Sequence, residues 1–185
     1  MRELAVPQME QQTGHTCGPV ALASVLRYLG SDATEAELVE LSGCTSAGTA
    51  PEGLRTAALY KSVVPHIVER MDVTSLRALV SAGHPVIVLL QAWPEAGKPR
   101  RWRERWDDGH YVVCTCVRKG SAVFMDPSLP GARGVLRLRD LEDRWHDRDV
   151  LGPGPARELY GLGIVFPPAG ETARWQTLGR TKRIH

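Results

Sequence analysis

The sequence predicts an α+β protein, with N-terminal helices packed on a mostly antiparallel β-sheet. Three observations carry this. Between residues 17 and 61, three segments place apolar residues at helical spacing between capping signals. Four later runs, "PVIVLL", "HYVVCTCV", "AVFMD" and "YGLGIVF", are β-branched or aromatic and are separated by turn residues, as strands are. No internal repeat or break in composition divides the 185 residues, so one domain over 1–168 is expected, followed by a basic tail over 169–185.

Taken in order, "CGPVALASVLRYLG" opens at Cys17, carries Val20, Leu22, Val25, Leu26 and Leu29 at helical spacing, and ends on a glycine cap at Gly30. In "SDATEAELVELSG", Thr34 is the N-cap, acids fill the first turn and Gly43 ends the helix. "TAPEGLRTAALYK" has Pro51 in the first turn and Leu54, Ala57 and Ala58 on one side, so it reads as a third helix despite Gly53. "SVVPHIVER" is a short strand that Pro65 confines to an edge. "DVTSLRALVSAG" is a helix with Asp72 or Thr74 as cap and Gly83 as terminator, and "LRDLEDRWHD" adds a late helix between the last two strands.

Composition excludes several classes. A net charge of +2 from 23 basic and 21 acidic residues gives no electrostatic footprint for nucleic acid. No run approaches the roughly 18 apolar residues needed to span a bilayer. The start, "MRELAVPQMEQQ", lacks the apolar core of a signal peptide, so a cytoplasmic location is expected. Four scattered cysteines, Cys17, Cys44, Cys114 and Cys116, do not make a disulfide framework. Cys114 and Cys116 share one strand face by period two and read as core, not as metal ligands; no metal or cofactor is expected.

Cys17 stands at the mouth of a helix, where unpaired backbone N–H groups favour a thiolate. Buried packing at a helix start is the competing reading for this one residue. A nucleophile needs a base. His15 is near only in sequence, His66 and His84 adjoin prolines at strand edges, His146 lies in the polar "EDRWHDRD", and His185 is terminal. His110 heads the strand "HYVVCTCV" after a glycine turn, at the lip of the sheet. If that strand and "AVFMD" form a hairpin through "RKGS", Asp126 meets His110 near one rim and can orient it. For an oxyanion donor, Gln11 lies six residues before Cys17, with Gln12 and Gln8 as competitors. The loop from Trp93 to Asp108, with its tryptophans and arginines, is long enough to bind an acidic peptide or a small acyl donor.

These residues, with "GTAPEGLRTAA", "GHPVIVLLQAW", "DDGHYVVC", "VFMDPS" and "RWHD" in the same order, resemble a known family. It is the bacteriocin-leader-processing (double-glycine leader) branch of papain-like cysteine peptidases, especially its stand-alone members. The resemblance runs from about Leu4 to Phe166. It implies a papain-like fold with Cys17 as nucleophile, His110 as base, Asp126 as its orienter and Gln11, rather than Gln12, as oxyanion donor. It implies a peptide or acyl substrate, a leader peptide among the candidates. An acyltransferase or amide-forming enzyme shares the same thioester intermediate, and a peptide-binding protein that keeps the groove without turnover is the non-enzymatic alternative.

Overall fold

The computed structural model describes residues 2–93, 101–152 and 154–170. Three helices come first: α1 (Cys17–Tyr28), α2 (Glu35–Ser42) and α3 (Pro51–Tyr60). Then follow β1 (His66–Val68), α4 (Val73–Ser81), β2 (Val86–Gln91) and a 3-10 turn at Trp102–Glu104. The chain continues through β3 (Gly109–Arg118), β4 (Ser121–Met125), β5 (Arg133–Arg137), α5 (Leu138–Arg144), β6 (His146–Asp149), β7 (Arg157–Tyr160) and β8 (Gly163–Val165).

The caps work as their chemistry demands. Thr34 accepts from the Glu37 N–H at the start of α2, and Asp72, not Thr74, accepts from the Ser75 N–H at the start of α4. At α1, Thr16 precedes the first turn without a side-chain cap bond. Cys17 through Leu26 are all buried, because α1 lies between the sheet and the pair α2–α3 and has apolar contact on every side.

Six strands form one sheet in the order β1-β8-β2-β3-β4-β5, with every pair antiparallel. Both faces are covered. On one, Leu22, Val25 and Leu26 of α1 and Leu54 of α3 pack on Ile87, Val113 and Ile164. On the other, Leu76 and Val80 of α4 and Leu141 of α5 pack on Val86, Val88, Val112 and Phe124. The unbroken apolar run "PVIVLL" follows from this, since a strand buried on both faces has no reason to alternate.

The structure departs from the sequence reading in four places. β5 is an edge strand whose "RGVLR" carries too little apolar alternation to announce itself, and it pairs fully with β4. "YGLGIVF" is not one strand: Gly161, at φ 57°, turns the chain between β7 and β8. The late helix stops at Arg144, and "HDRD" becomes β6, paired with β7 in a separate two-stranded ribbon. In β3 a bulge lies between Cys114 and Cys116, which pair with the adjacent residues Phe124 and Val123 and so face opposite sides of the sheet. Both remain buried free thiols, as does Cys17, while Cys44 is half-buried.

No helix among the described residues is long and apolar enough to cross a membrane. The loop residues 94–100 and the tail beyond residue 170 lie outside the described residues.

Candidate active site

The N-terminus of α1 packs on β3, where Cys17 adjoins His110 and His110 bonds Asp126, while Gln11 reaches the turn after Asp126 through Ser128. The β3–β4 hairpin turns through Lys119 and Gly120, with Arg118 opposite Ser121 and Val113 opposite Met125. Asp126 follows β4 directly and lies one diagonal step from His110, near enough for Nε2 of the ring to sit 2.8 Å from Asp126 Oδ1. The His110 side chain is 5% exposed and that of Asp126 15%. Asp126 is itself held: Oδ1 accepts from the Ser128 N–H at 2.9 Å, and its backbone carbonyl accepts from Gln8 Nε2 at 2.7 Å.

Burial pulls the His110 pKa down, but the hydrogen bond to Asp126 and the neighbouring Cys17 thiol outweigh it, and the group is pushed up to about 9. The ring is therefore an imidazolium at neutral pH. His146, the histidine that reads from sequence as a solvated helix end, is instead 5% exposed at the start of β6, with Nε2 2.8 Å from the Arg105 carbonyl and Trp106 edge-on at 4.6 Å. It is used up in holding the long loop.

The glutamines separate by their partners. Both hydrogen bonds donated by Gln8 end on backbone carbonyls, of Asp126 and Leu129, and its Oε1 accepts from Arg133, so Gln8 ties the N-terminal segment to the β4–β5 turn. Gln11 is oriented instead: its Oε1 accepts from the Ser128 hydroxyl at 3.0 Å and its Nε2 donates to the Thr13 carbonyl at 2.6 Å. Among the described residues the second N–H of that amide meets no acceptor. Gln12 is exposed.

Gly18 allows close packing inside the protein. A Cβ there would come within 3.1 Å of Tyr111 Cδ2 and 3.3 Å of Leu54, so the missing side chain lets the start of α1 sit against β3 and α3.

Three further features escaped the sequence reading. Ser128, in an ordinary Asp-Pro-Ser turn, touches both Asp126 and Gln11. Trp93, in the left-handed region at φ 56° and half exposed, places its ring 5.5 Å from that of His110 at an angle of 58°. Gln91, fully buried at the end of β2, donates to Asp147 Oδ1 at 2.8 Å and accepts from the Asp108 N–H, fastening the segment just before His110 to β6. No short-range pattern marks them, since every partner is at least 17 residues away except the Ser128–Asp126 turn bond.

Cys17 opens onto a cleft of about 380 Å³, whose lining includes Tyr111, Leu89, Leu159, Trp106 and Asp147. Burial pushes the Asp147 carboxyl up to about 6, against the pull of hydrogen bonds from Gln91 and the Arg148 backbone. A smaller apolar pocket of about 210 Å³ lies on the far side of the His110–Asp126 pair, between Trp93, Phe124 and Val135. No group of three or more metal-ligating side chains is found among the described residues.

A cysteine at a helix mouth, next to a histidine held by an aspartate across a hairpin, is an arrangement suited to acyl chemistry. Residues 3–149 match the sequence profile described as "Peptidase_C39 like family". The chain belongs to the peptidase C39-like family.

Relatives of this C39-like chain include an uncharacterised protein of Methanothermobacter marburgensis, 48% identical over 131 residues that cover 71% of this chain and 75% of the relative. A second, from Methanothermobacter thermautotrophicus and also uncharacterised, is 34% identical over 119 residues, 64% of this chain and 70% of the relative. Among solved structures, the peptidase domain of Streptococcus ComA, a bifunctional ABC transporter of a quorum-sensing pathway, superposes with a TM-score of 0.65 at 22% identity, covering 88% of this chain and 98% of that one. A C39-like peptidase structure from Bacillus anthracis gives 0.67 at 15% identity, covering 90% and 98%. A double-glycine-motif protease from the AMS/PCAT transporter, solved with its leader peptide, gives 0.62 at 17% identity, covering 90% and 94%. At these identities the structural likenesses establish the C39 peptidase fold of this chain.

Proposed function

We propose that the protein is a cysteine peptidase in which Cys17 is the nucleophile, His110 the general acid and base, Asp126 the orienter of His110, and Gln11 with the Cys17 backbone N–H the oxyanion donors. The observation that carries the reading is the His110–Asp126 bond. With Nε2 committed to Asp126, Nδ1 is the ring nitrogen left for Cys17, whose side chain is close enough to raise the His110 pKa.

Cys17 as thiolate adds to the scissile carbonyl carbon, and the negative charge moves to the carbonyl oxygen, where the free Gln11 N–H meets it. Collapse breaks the C–N bond, the imidazolium of His110 gives its proton to the leaving amine, and a thioester remains on Cys17. A water molecule, deprotonated by His110, then adds to the thioester and releases the acid, restoring the thiolate–imidazolium pair. Asp126 keeps the ring in register throughout.

The substrate in this reading is a peptide. A leader peptide is the first candidate, because a structural neighbour was solved with one, and a cytoplasmic site of action fits four free thiols. The deciding experiment is intact-protein mass spectrometry after incubation with peptide libraries and with acyl thioesters. An acyl adduct on Cys17, lost in folded Cys17→Ala, is the expected result. Turnover by Cys17→Ala overturns the reading. Transfer of the acyl group to an added amine, in place of hydrolysis, would reassign the protein as an acyltransferase.

A further inference from the structure

The orienter of His110 and the proposed oxyanion donor depend on one short turn. Asp126, Pro127, Ser128 and Leu129 follow β4, and the turn closes with the Leu129 N–H donating to the Asp126 carbonyl at 3.1 Å. The Asp126 carboxylate is held within it by the Ser128 N–H. Gln11 is held from outside: its backbone N–H donates to the Pro127 carbonyl at 3.0 Å, and its Oε1 accepts from the Ser128 hydroxyl. A displacement of this turn therefore moves the carboxylate that orients His110 and turns the Gln11 amide at the same time.

The side chain that fixes the turn is Gln8, three residues before Gln11 in the same N-terminal segment. Its Nε2 donates to the carbonyls of Asp126 at 2.7 Å and of Leu129 at 3.2 Å, the two ends of the turn. Its Oε1 accepts from Arg133 Nη1 at 3.2 Å. A guanidinium can only donate, so Arg133 dictates which end of the amide is which: oxygen to the cation, nitrogen to the two carbonyls. The cation also polarises the amide and strengthens the bonds that Nε2 gives. Arg133 is itself anchored. It stands opposite Met125 in the β4–β5 ladder, donates from Nη2 to the Val6 carbonyl at 2.6 Å, and pairs through Nε with Glu3 at 3.0 Å. Both side-chain N–H groups of Gln8 are thus spent inside the protein.

We propose that Gln8, held by Arg133, is a positioning residue for the peptidase chemistry: through the 126–129 turn it sets Asp126 against His110 and fixes the direction of the Gln11 amide. The inference rests on the peptidase reading. Gln8 touches no reacting atom and acts through two other side chains, so its loss should weaken both together. The charged or titratable groups around His110 are Asp126, Cys17 of α1 and, in the pocket behind it, Arg144 of α5. Only the first of these is bonded to Gln8.

The test combines two readouts on the full chain. One is the titration of the His110 ring followed by NMR, its resonances assigned by their loss in His110→Ala. The other is the rate at which p-nitrophenyl acetate transfers its acetyl group to Cys17 Sγ with release of p-nitrophenolate. Gln8→Met keeps the length of the side chain and adds no charge, but removes the donors. It is expected to lower the His110 midpoint by about one pH unit and to slow acetylation about 10-fold, as a small misplacement of both groups would. Arg133→Lys keeps a cation beside Glu3 but loses the planar fork, and should cause the same two changes to a smaller extent; it carries the test if Gln8→Met does not fold. Added to Asp126→Ala, Gln8→Met should shift the His110 midpoint no further. A lower melting temperature with neither readout moved, or a change in only one of them, overturns the shared positioning and leaves the peptidase reading standing. Failure of the wild-type protein to be acetylated at Cys17 overturns the peptidase reading, and the His110 titration then decides by itself whether Gln8 places Asp126.

Discussion

Asp147 Oδ2 occupies the space that a Cβ on Gly109 would fill, so β3 and β6 touch at the one residue that precedes His110. The contact links the wall of the cleft to the placement of His110. Gly109→Ala is expected to push β6 and β3 apart, lowering stability by about 1–3 kcal/mol, the usual cost of overpacking, and lowering kcat by moving His110 away from Cys17. Chemical denaturation and peptide turnover measure the two effects. Asp147→Ala in the same chain makes room for the new methyl group, so the double variant should recover part of the stability lost. A Gly109→Ala protein as stable and active as the parent would remove the link.

Asp126 offers His110 a carboxylate, and a carboxamide oxygen at the same place would still accept from the ring. Asp126→Asn should therefore keep the ring oriented and lose about 10-fold in kcat/KM, while Asp126→Ala, which removes the acceptor of both His110 and the Ser128 N–H, should lose about 10²-fold or more. Equal losses in the two variants would show that the negative charge, not the orientation, is what Asp126 contributes.

Ser128 fixes which way the Gln11 amide faces, because its hydroxyl donates to Oε1 and so leaves the nitrogen on the other side. Gln11→Ala is expected to lower kcat by about 10²–10³-fold with little change in KM, the mark of a donor used mainly in the transition state. Ser128→Ala should give a milder loss of the same kind, since the bond from Nε2 to the Thr13 carbonyl still favours the same orientation of the amide. A Ser128→Ala effect confined to KM would place Ser128 in substrate binding instead.

Much of this neighbourhood is legible in the sequence because it rests on local signals. Helix caps at Thr34 and Asp72, proline and glycine around Cys17, and a β-hairpin closed by "RKGS" are all short-range features, and the hairpin alone brings Asp126 to His110 from 16 residues away. What escaped depends on packing at long range. The bulge at Thr115 shifts the register of β3 against β4 without any glycine or proline to mark it, and it put Cys116 on the opposite face from Cys114. β6 reads as the end of a helix because "HDRD" is polar. It is held as a strand by its partner β7, by Gln91 beneath it and by the loop carbonyl that His146 meets. Polar residues that satisfy one another across the fold leave no periodic trace, so Gln91, Asp147 and His146 surface only in three dimensions.

The pH behaviour of His110 follows from opposing forces. Burial lowers its pKa, while Asp126 and Cys17 raise it further, to about 9 in the folded protein against about 6.5 in an unfolded chain. The native state therefore holds a proton that the unfolded state has lost between these two values, and stability falls as pH rises through that window. The contribution is fully present below about pH 6.5, is on the order of 3 kcal/mol, and is gone above about pH 9. In the proposed mechanism the His110 imidazolium protonates the leaving amine, so peptidase activity should share the upper limb. Melting temperatures and kcat/KM measured from pH 6 to 10 check both, with His110→Ala flattening the stability profile. In Asp126→Ala the largest raising partner is removed while burial still opposes the charge, so the alkaline limb of any residual activity should move to lower pH. An alkaline limb that stays near 9 in that variant would assign it to a group other than His110.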